Sequence, residues 1–553
     1  MLNCGFKNKG SIPLTHLQKY MVASFFSLVM YDLFWVPIFI FTSFFIFFIS
    51  LNKQISATLV QLNYKKLLLR NRSLFNKFNF SYKQYYYFIL KLLFWCFAYT
   101  GLLFINGFYY ENSTIFFVFQ LTEVTYFSYI YCWVFSMVTI YYLSRLYSSK
   151  FTNLYEHITV IGLLIVSLYY YIFINNLISL IFVFEVQSIL FIYLIATNYN
   201  VTVLFIDDII SSKIKNYSIS ILWYYSSLIY QFWVSFLGSL LLIYSLLLLL
   251  KFNYILDWAN FDIFFMFSYY SSVNLKFYFF IYNLLIVGFA LKIGIFPFFF
   301  WKPEIYKNFS LSTLFFYMVI YLFCFINLFI LLVSKYFILT INFWFFYLYI
   351  ILYLTIIIVP IFIYSIFEIR VFLGYISVFH LIFIFFSAMI LNDTSLNVSY
   401  FYLICYMFFT LNFFSILFST TTNSLWYLTD LQLFNSLPLV NTSILILFVS
   451  YAGLPPSLGF FSKLSLIFNF LVNQDFILFL IVLLSSFYII YFYLQNYRFF
   501  GFSLSGYDYI NNLVNYKYIE NFASGYIFFI FWSLTSLFFY NDIFIFTNIV
   551  TFN

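Results

Sequence analysis

The chain has 553 residues, of which 65% are hydrophobic and 8% are charged, with a formal net charge of +8. A soluble domain averages about 45–50% apolar and about 25% charged residues, so this chain has too little polar surface to cover a water-soluble globule of its size. The composition excludes a cytosolic enzyme, a nucleic-acid-binding protein and a disordered protein. It predicts an all-α membrane protein that crosses the bilayer many times.

Long apolar runs predict about fourteen membrane-spanning helices, because each span needs about 20 mostly apolar residues. The predicted spans are 34–51, 86–106, 118–143, 157–174, 178–197, 222–250, 279–301, 310–334, 344–364, 371–391, 398–419, 441–472, 476–496 and 523–541. If the N-terminus lies outside, the loops after odd-numbered spans carry most of the Lys and Arg, Lys302, Lys307 and Arg370 among them. The opposite loops carry only Lys251, Lys276 and Lys335. The positive charge therefore indicates membrane orientation rather than binding to nucleic acid.

Two spans combine a helix break with a lysine well inside the apolar run. Lys292 is followed by Gly294 and Pro297, and Lys463 follows the run Ala452-Gly-Leu-Pro-Pro-Ser-Leu-Gly459. A charge at the bilayer centre costs at least about 2.5–3.5 kcal/mol, which favours a functional role. The alternative is a proline-kinked structural helix whose lysine reaches a lipid headgroup. The two breaks lie five spans apart, an odd number, and this spacing predicts two five-helix repeats of inverted topology.

Two further titratable side chains lie inside predicted spans. Glu185 has no neutralising neighbour in its own run, and Lys292, two spans later, is its expected partner. A buried structural salt bridge is the alternative role for that pair. His380 has an intrinsic pKa near 6.5 that suits a proton relay, although a lone hydrogen-bonded histidine is an open alternative. Lys91, Asp32 and Glu123 lie near span ends, where a charged side chain can reach the interface.

The cysteines and histidines are scattered and do not form a ligand group. No CxxC pair occurs, and Cys4, Cys96, Cys132, Cys324 and Cys405 lie far apart. A zinc, haem or iron–sulfur site needs grouped ligands, so no cofactor or metal is expected in this chain. Phe (89) and Tyr (56) are very abundant and, like Ile, Asn and Lys, have A+T-rich codons, which favours an organelle genome.

Four stretches resemble the antiporter-like subunits of respiratory complex I, above all the subunit 2 family of mitochondrial NADH:ubiquinone oxidoreductase. Residues 289–306, FALKIGIFPFFFWKPEIY, are similar to that family's Phe-Lys-x-x-x-x-Pro-Phe-His-x-Trp-x-Pro-Asp-Val-Tyr signature. Residues 452–463, AGLPPSLGFFSK, are similar to its Ala-Gly-Ile-Pro-Pro-x-x-Gly-Phe-x-x-Lys signature. Residues 184–190, FEVQSIL, fit its glutamate-bearing helix, and residues 374–380, GYISVFH, weakly resemble its Ala-Tyr-Ser-Ser-Ile-Ser-His stretch.

The resemblance implies a fold and roles for individual residues. Two inverted repeats over 157–334 and 344–496 would be flanked by N-terminal helices with a basic interfacial segment in 1–156 and by a loop and last helix in 497–553. Glu185 and Lys292 would form the ion pair of the first half-channel, and Lys463 would be the terminal lysine of the second. His380 would join this proton-transfer axis.

The implied function is proton translocation, coupled to electron transfer from NADH to ubiquinone in other subunits. FMN, iron–sulfur clusters and ubiquinone would be bound by those subunits. The expected partners are other membrane-arm subunits and lipids such as cardiolipin, with no nucleic acid, and the expected location is the mitochondrial inner membrane. The alternatives are a stand-alone cation/proton antiporter subunit, a non-pumping structural spacer, or complex I subunit 4 or 5. A long lateral helix after residue 541 would indicate subunit 5, and Asp-Ala-His in place of Glu304-Ile305-Tyr306 would indicate subunit 4.

The sequence departs from the family pattern in the middle of the implied proton route. The family often carries a second lysine about thirty residues after the Lys292 position, where this chain has Leu322. Phe299 and Asn308 replace a histidine and a glycine of the signature. His380, Tyr321 or water are the candidates for the missing central relay.

Overall fold

A computed structural model describes the following residues: 114–115, 119–120, 160–164, 167, 179–193, 215–253, 275–295, 297–309, 311–331, 341–364, 366–390, 392–419, 427–428, 431, 438–455 and 457–501. The predicted spans 34–51, 86–106 and 523–541 lie outside these residues. Contacts divide the chain into one unit of Met1–Glu111 with Leu154–Gly162 and another of Asn112–Asn153 with Leu163–Asn553. The site described below lies in the second unit.

The described part of the second unit is almost entirely helical. Its helices are α1 (Ser179–Tyr193), α2 (Lys215–Asn253), α3 (Leu275–Ile293), α4 (Trp301–Asn308), α5 (Leu311–Phe316), α6 (Leu322–Leu331), α7 (Ile341–Tyr364), α8 (Ile369–Met389), α9 (Asp393–Ser419), α10 (Pro438–Ala452), α11 (Leu458–Val472) and α12 (Phe476–Gly501). A π-helical turn, Tyr317–Tyr321, joins α5 to α6. Two short antiparallel strands, β1 (Thr114–Ile115) and β2 (Phe119–Gln120), are the exception, so the helix predicted over 118–143 does not begin before residue 121.

Apolar sequence over long helical stretches explains why these segments belong in a membrane, where each backbone group must be satisfied within its own helix. Among the described residues, four helical segments are long and apolar enough to cross a bilayer: Ser226–Lys251, Ile369–Ala388, Thr394–Phe414 and Phe476–Gln495. The second of these, in α8, is 94% buried within the protein, whereas the last, in α12, is 33% buried. Helix α8 therefore lies at the centre of the helical unit and α12 at its periphery.

The predicted helical, multi-pass fold class is confirmed, and the helices follow the predicted spans from 178–197 to 476–496 closely. Both predicted breaks are present, since α3 ends at Ile293 before α4, and α10 ends at Ala452 before α11. The exact number of fourteen spans stays a prediction, as do the domain boundaries at 156, 334, 344 and 496.

Two contacts between loops support the predicted alternation of the spans across the membrane. Lys307 and Glu368, from loops predicted to lie on the same inner side, form an ion pair of 2.8 Å. Asn392 and Asn473, from loops predicted to lie on the opposite side, are joined by a hydrogen bond from Asn392 Nδ2 to Asn473 Oδ1. Arg370 Nη1 donates to the Phe309 carbonyl at 3.0 Å and so ties the inner loops together further.

Replacing Gly453 with alanine is expected to destabilise the second break. Gly453 has a φ of 76°, and an L side chain in that region costs about 1–2 kcal/mol. An added Cβ would also lie 2.6 Å from Lys463 Cδ. We expect a lower midpoint of thermal unfolding for the purified protein in detergent.

Gly162→Ala is the matched control, because no atom lies within 4 Å of its added Cβ. Equal unfolding midpoints for the two variants would contradict the strain assigned to Gly453.

Candidate functional site at two broken helices

The first helix break places Lys292 in the last turn of α3. Gly294 adopts a φ of 77°, and the N–H groups of Gly294 and Ile295 both donate to the Ala290 carbonyl, at 2.9 and 3.0 Å. This left-handed glycine cap ends the helix, and Pro297 cannot continue it. The chain then turns into the short helix α4, which packs against α2 and α8.

Lys292 is buried, and its ammonium lies over an aromatic ring. Its Nζ is 4.3 Å from the centroid of the Phe184 ring on α1, and the residue is 6% exposed. A cation over a ring face is stabilised by the quadrupole of the ring, most strongly where water is excluded.

The Lys292 side chain borders a small polar cavity. The cavity has about 20 Å³ of space open to the centre of a water molecule, which is room for about one water. Its lining consists of Phe184, Ser188, Phe191, Gln231, Val234, Ser235, Lys292, Trp301, Tyr317 and Tyr321. Hydroxyl and amide groups therefore line the same cavity as the lysine.

The ion pair expected between Glu185 and Lys292 is not formed within 4 Å between these two described side chains, because the ammonium lies on Phe184 instead. Consecutive residues of a helix point about 100° apart. Phe184 faces the core at 1% exposure, so the half-buried Glu185 is turned away from it. Glu185 still lies within electrostatic range of Lys292.

The second helix break has the same backbone design. Gly453 has a φ of 76°, and the N–H groups of Gly453 and Leu454 donate to the Val449 carbonyl at 3.0 and 3.1 Å. Lys463, on the helix that follows, donates from Nζ to the carbonyls of Tyr451 at 3.0 Å and Ala452 at 2.7 Å. The lysine thus satisfies backbone acceptors that the broken helix leaves free.

Lys302 is a buried lysine that sequence reasoning placed in an inner loop. It is fully buried at 0% exposure, and its Nζ donates to the Ile293 carbonyl at 3.2 Å. Its burial was not expected from the loop placement, and it arises because α4 packs against α2 and α8.

The lysine at the first break whose hydrogen bonds match those of Lys463 is Lys302, not Lys292. Both lie on the helix after a break and reach back to the carbonyls before it. The signal in the sequence was the spacing, since Lys302 lies eight residues after Gly294 and Lys463 lies ten residues after Gly453.

His380, on α8, lies in a cluster of buried aromatic side chains near Lys463. Its Nδ1 is 2.7 Å from the Tyr402 hydroxyl, and its ring centroid is 5.0 Å from that of Tyr406 and 5.6 Å from that of Tyr451. His380 is also within electrostatic range of Lys463. The structure therefore brings Glu185 close to Lys292 and His380 close to Lys463, and a role for these four residues in proton transfer stays a prediction.

Metal binding was not expected from the sequence. In the part of the chain that the structure describes, no group of three or more His, Cys, Asp or Glu side chains could hold a metal ion. The side chains at the two breaks are amines, an imidazole, a carboxylate and phenols, and each of these groups can bind or release a proton.

Curated proteins with similar sequences share part of the chain. NAD(P)H-quinone oxidoreductase subunit 2 of Prochlorococcus marinus strain MIT 9312 is 34% identical over 125 residues, which are 22% of this chain and 25% of that protein. The same subunit from strain AS9601 is 33% identical over 125 residues, with the same shares. The chain thus spans about a quarter of the length of these curated relatives.

Solved structures share the fold over most of the chain. A chain of respiratory complex I from Thermus thermophilus with bound aureothin has a TM-score of 0.59 at 14% identity and covers 82% of this chain and 92% of its own length. A chain of the Mrp complex from Dietzia sp. DQ12-45-1b has a TM-score of 0.63 at 12% identity, with 85% and 91% covered. A chain of the membrane-bound sulfane sulfur reductase, an archaeal respiratory membrane complex, has a TM-score of 0.64 at 14% identity, also with 85% and 91% covered.

The sequence profile described as NADH:quinone oxidoreductase/Mrp antiporter, transmembrane, matches residues 211–488. This range is half of the chain, and it contains both helix breaks together with Lys292, His380 and Lys463. The chain therefore belongs to the NADH:quinone oxidoreductase/Mrp antiporter transmembrane family.

Proposed function

We propose that this protein is a proton-translocating membrane-arm subunit of respiratory complex I. Electron transfer from NADH to ubiquinone in other subunits would drive protons along an axis formed by Glu185, Lys292, His380 and Lys463. The membership of the chain in a family that unites quinone oxidoreductases with Mrp antiporters supports this proposal.

The observation that carries the proposal is the burial of Lys292 and Lys463 at two breaks of the same design. Neither lysine has a carboxylate partner within 4 Å among the described residues. A lysine without an acid partner in a dry interior has a proton occupancy that a small electrostatic change can shift. Such an amine can bind a proton and release it during each cycle.

Each lysine has a second titratable group close enough to bias it. Glu185 lies within electrostatic range of Lys292, and His380 lies within range of Lys463. A negative carboxylate favours the protonated lysine, whereas a protonated imidazole opposes it. A proton that arrives at one member of either pair thus changes the proton affinity of the other, which is the coupling that a pump requires.

The finer identity of the subunit belongs to the same proposal. The relatives named subunit 2 favour that subunit over subunits 4 and 5. FMN, iron–sulfur clusters and ubiquinone would be held by other subunits. The abundance of Phe and Tyr, whose codons are A+T-rich, favours a protein encoded in an organelle and located in the mitochondrial inner membrane.

Two peripheral helices present surfaces suited to lipid and to neighbouring subunits. Exposed apolar side chains line α12, where Ile477 is 70% and Leu484 is 58% exposed, and α2, where Trp233 is 53% exposed. Such faces are stable only against hydrocarbon or another apolar surface. Membrane-arm subunits and lipids, cardiolipin included, are the proposed occupants.

A stand-alone cation/proton antiporter subunit is the second candidate function. The fold shared with a chain of the Mrp complex favours it, because the same buried lysines would serve both activities. A non-pumping spacer is the third alternative, and it gives the lysines only the structural role of satisfying carbonyls.

Lys463→Met is expected to abolish proton transfer through this chain. Methionine keeps the length and apolar stem of the side chain but cannot carry a proton, and removal of a positioned acid–base group typically slows transfer by about 10²-fold or more. The measurement is the number of protons moved per NADH oxidised by the assembled complex in vesicles. Lys251→Met, at an exposed lysine near the end of α2, is the matched control. An unchanged ratio in Lys463→Met would refute the pumping assignment.

Purification of the tagged chain from its native membrane distinguishes the two candidate functions. A complex I subunit is expected to copurify with NADH dehydrogenase activity and with flavin and iron–sulfur absorbance. A stand-alone antiporter would instead exchange cations for protons in vesicles that lack these groups. Recovery of antiport without NADH dehydrogenase activity would overturn the complex I assignment.

A further inference from the structure

The two lysine centres have no lysine between them at the position where the family often carries one. That position is Leu322, which is fully buried. A proton that passes from Lys292 to His380 needs other groups that can both accept and donate it, and phenol hydroxyls meet that requirement.

Tyr317 and Tyr321 occupy the first part of the gap. Both line the cavity beside Lys292, and their rings stack with centroids 4.8 Å apart. They are the first and last residues of the π-helical turn, which packs against α9. Single π-helical turns are rare and are concentrated at functional sites.

Tyr306, on α4, continues the path away from the cavity. It is fully buried, and its ring centroid is 5.7 Å from that of Tyr317. It lies within electrostatic range of Tyr321 on one side and of Tyr406, on α9, on the other. Tyr306 therefore links the first helix break electrostatically with α9, which carries Tyr406.

Tyr406 brings the path to His380, whose ring centroid is 5.0 Å away. In the described part of the chain, the Tyr406 hydroxyl and His380 Nε2 have no hydrogen-bond partner. The ring centroids of Tyr451 and His380 are 5.6 Å apart, and the Tyr451 carbonyl accepts a hydrogen bond from the Lys463 ammonium. His380, the last proton acceptor before Lys463, therefore packs against the residue whose carbonyl binds the Lys463 ammonium.

Packing alone does not account for the Tyr406 hydroxyl, which has no hydrogen-bond partner in the described part of the chain. A buried hydroxyl without a partner costs about 1–3 kcal/mol relative to a satisfied one, and phenylalanine fills the same space without that cost. The chain contains 89 Phe and uses them throughout the same core. A tyrosine in this environment needs a reason that depends on its hydroxyl.

We infer that Tyr317, Tyr321, Tyr306 and Tyr406 form a tyrosine row that carries protons between Lys292 and His380 in place of a central lysine. The inference rests on the proposed function and names the relay within it. The row depends on the contact of the π-helical turn and α4 with the central helices, so it joins the two halves of the site.

Every transfer along the tyrosine row breaks one N–H or O–H bond and forms another. In the direction from Lys292 to Lys463, the Lys292 ammonium gives up a proton at the cavity. Each hydroxyl accepts a proton on its oxygen as it releases its own hydrogen to the next group, directly where the two are hydrogen bonded and through a bridging water where they are not. His380 receives the proton at Nε2, and the neutral amine of Lys463 accepts it next. No electron changes hands, so the relay needs no oxidant or reductant.

Tyr306→Phe and Tyr406→Phe test the tyrosine row, because each removes one hydroxyl and keeps the ring. In vesicles that contain the assembled complex, we expect the protons moved per NADH oxidised to fall as far as in Lys463→Met. A purely structural role for the hydroxyl would instead lower assembly and NADH oxidation together and leave the ratio unchanged. Tyr400→Phe, on the same helix as Tyr406 and 8% exposed, is the matched control and should keep the wild-type ratio.

The outcomes separate the relay from the proposed function. A wild-type ratio in both Tyr306→Phe and Tyr406→Phe, with a low ratio in Lys463→Met, overturns the tyrosine row and leaves the pumping assignment intact. A wild-type ratio in Lys463→Met overturns the pumping assignment itself. Loss of assembly on removal of a single hydroxyl assigns that hydroxyl a structural role and also overturns the row.

Discussion

The hydrogen bonds from lysine ammonium groups to the carbonyls of interrupted helices are the interactions on which the site depends. A helix that ends inside the membrane leaves backbone acceptors that lipid cannot satisfy. Lys463 donates to the carbonyls of Tyr451 and Ala452, and Lys302 donates to that of Ile293. The buried lysine ammonium groups and the free carbonyls at the helix ends thus stabilise each other. This arrangement lets an irregular backbone persist at a depth where regular helices are otherwise required.

Phenylalanine and tyrosine, whose side chains differ by one oxygen atom, have different roles in the aromatic core. Phenylalanine fills most of the space between helices, as in the cluster of Phe184, Phe289 and Phe325 beside Lys292. Tyrosine is found beside both lysine centres, as in the stack of Tyr317 on Tyr321 at 4.8 Å and that of Tyr451 on Tyr493 at 5.9 Å between ring centroids. Aromatic rings of nearly the same size therefore fill space as phenylalanine and add an exchangeable hydroxyl proton as tyrosine.

Hydropathy and proline–glycine punctuation were enough to predict the helices and both interruptions, because these features depend on local sequence. Lys292 and Lys463 could be singled out for the same reason. The contact of Lys292 with Phe184 could not be predicted, since it depends on the rotation of α1 about its own axis. The burial of Lys302 was also missed, because a charge just after an apolar run reads as a loop until α4 is seen to fold back. The electrostatic link between Tyr306 and Tyr406 joins residues 100 positions apart, so a linear pattern gives no sign of it.

The short distance along the chain between each ammonium and its acceptor has a consequence for biogenesis. Lys302 and Ile293 are nine residues apart, and Lys463 follows Ala452 by eleven. Each break, with the helix turns on either side of it, can therefore form its lysine–carbonyl hydrogen bond while the chain is still emerging from the insertion machinery, before distant helices are synthesised. The positive charge then enters hydrocarbon already bonded to its own backbone, and the energetic barrier to placing it there is lowered at the moment of insertion.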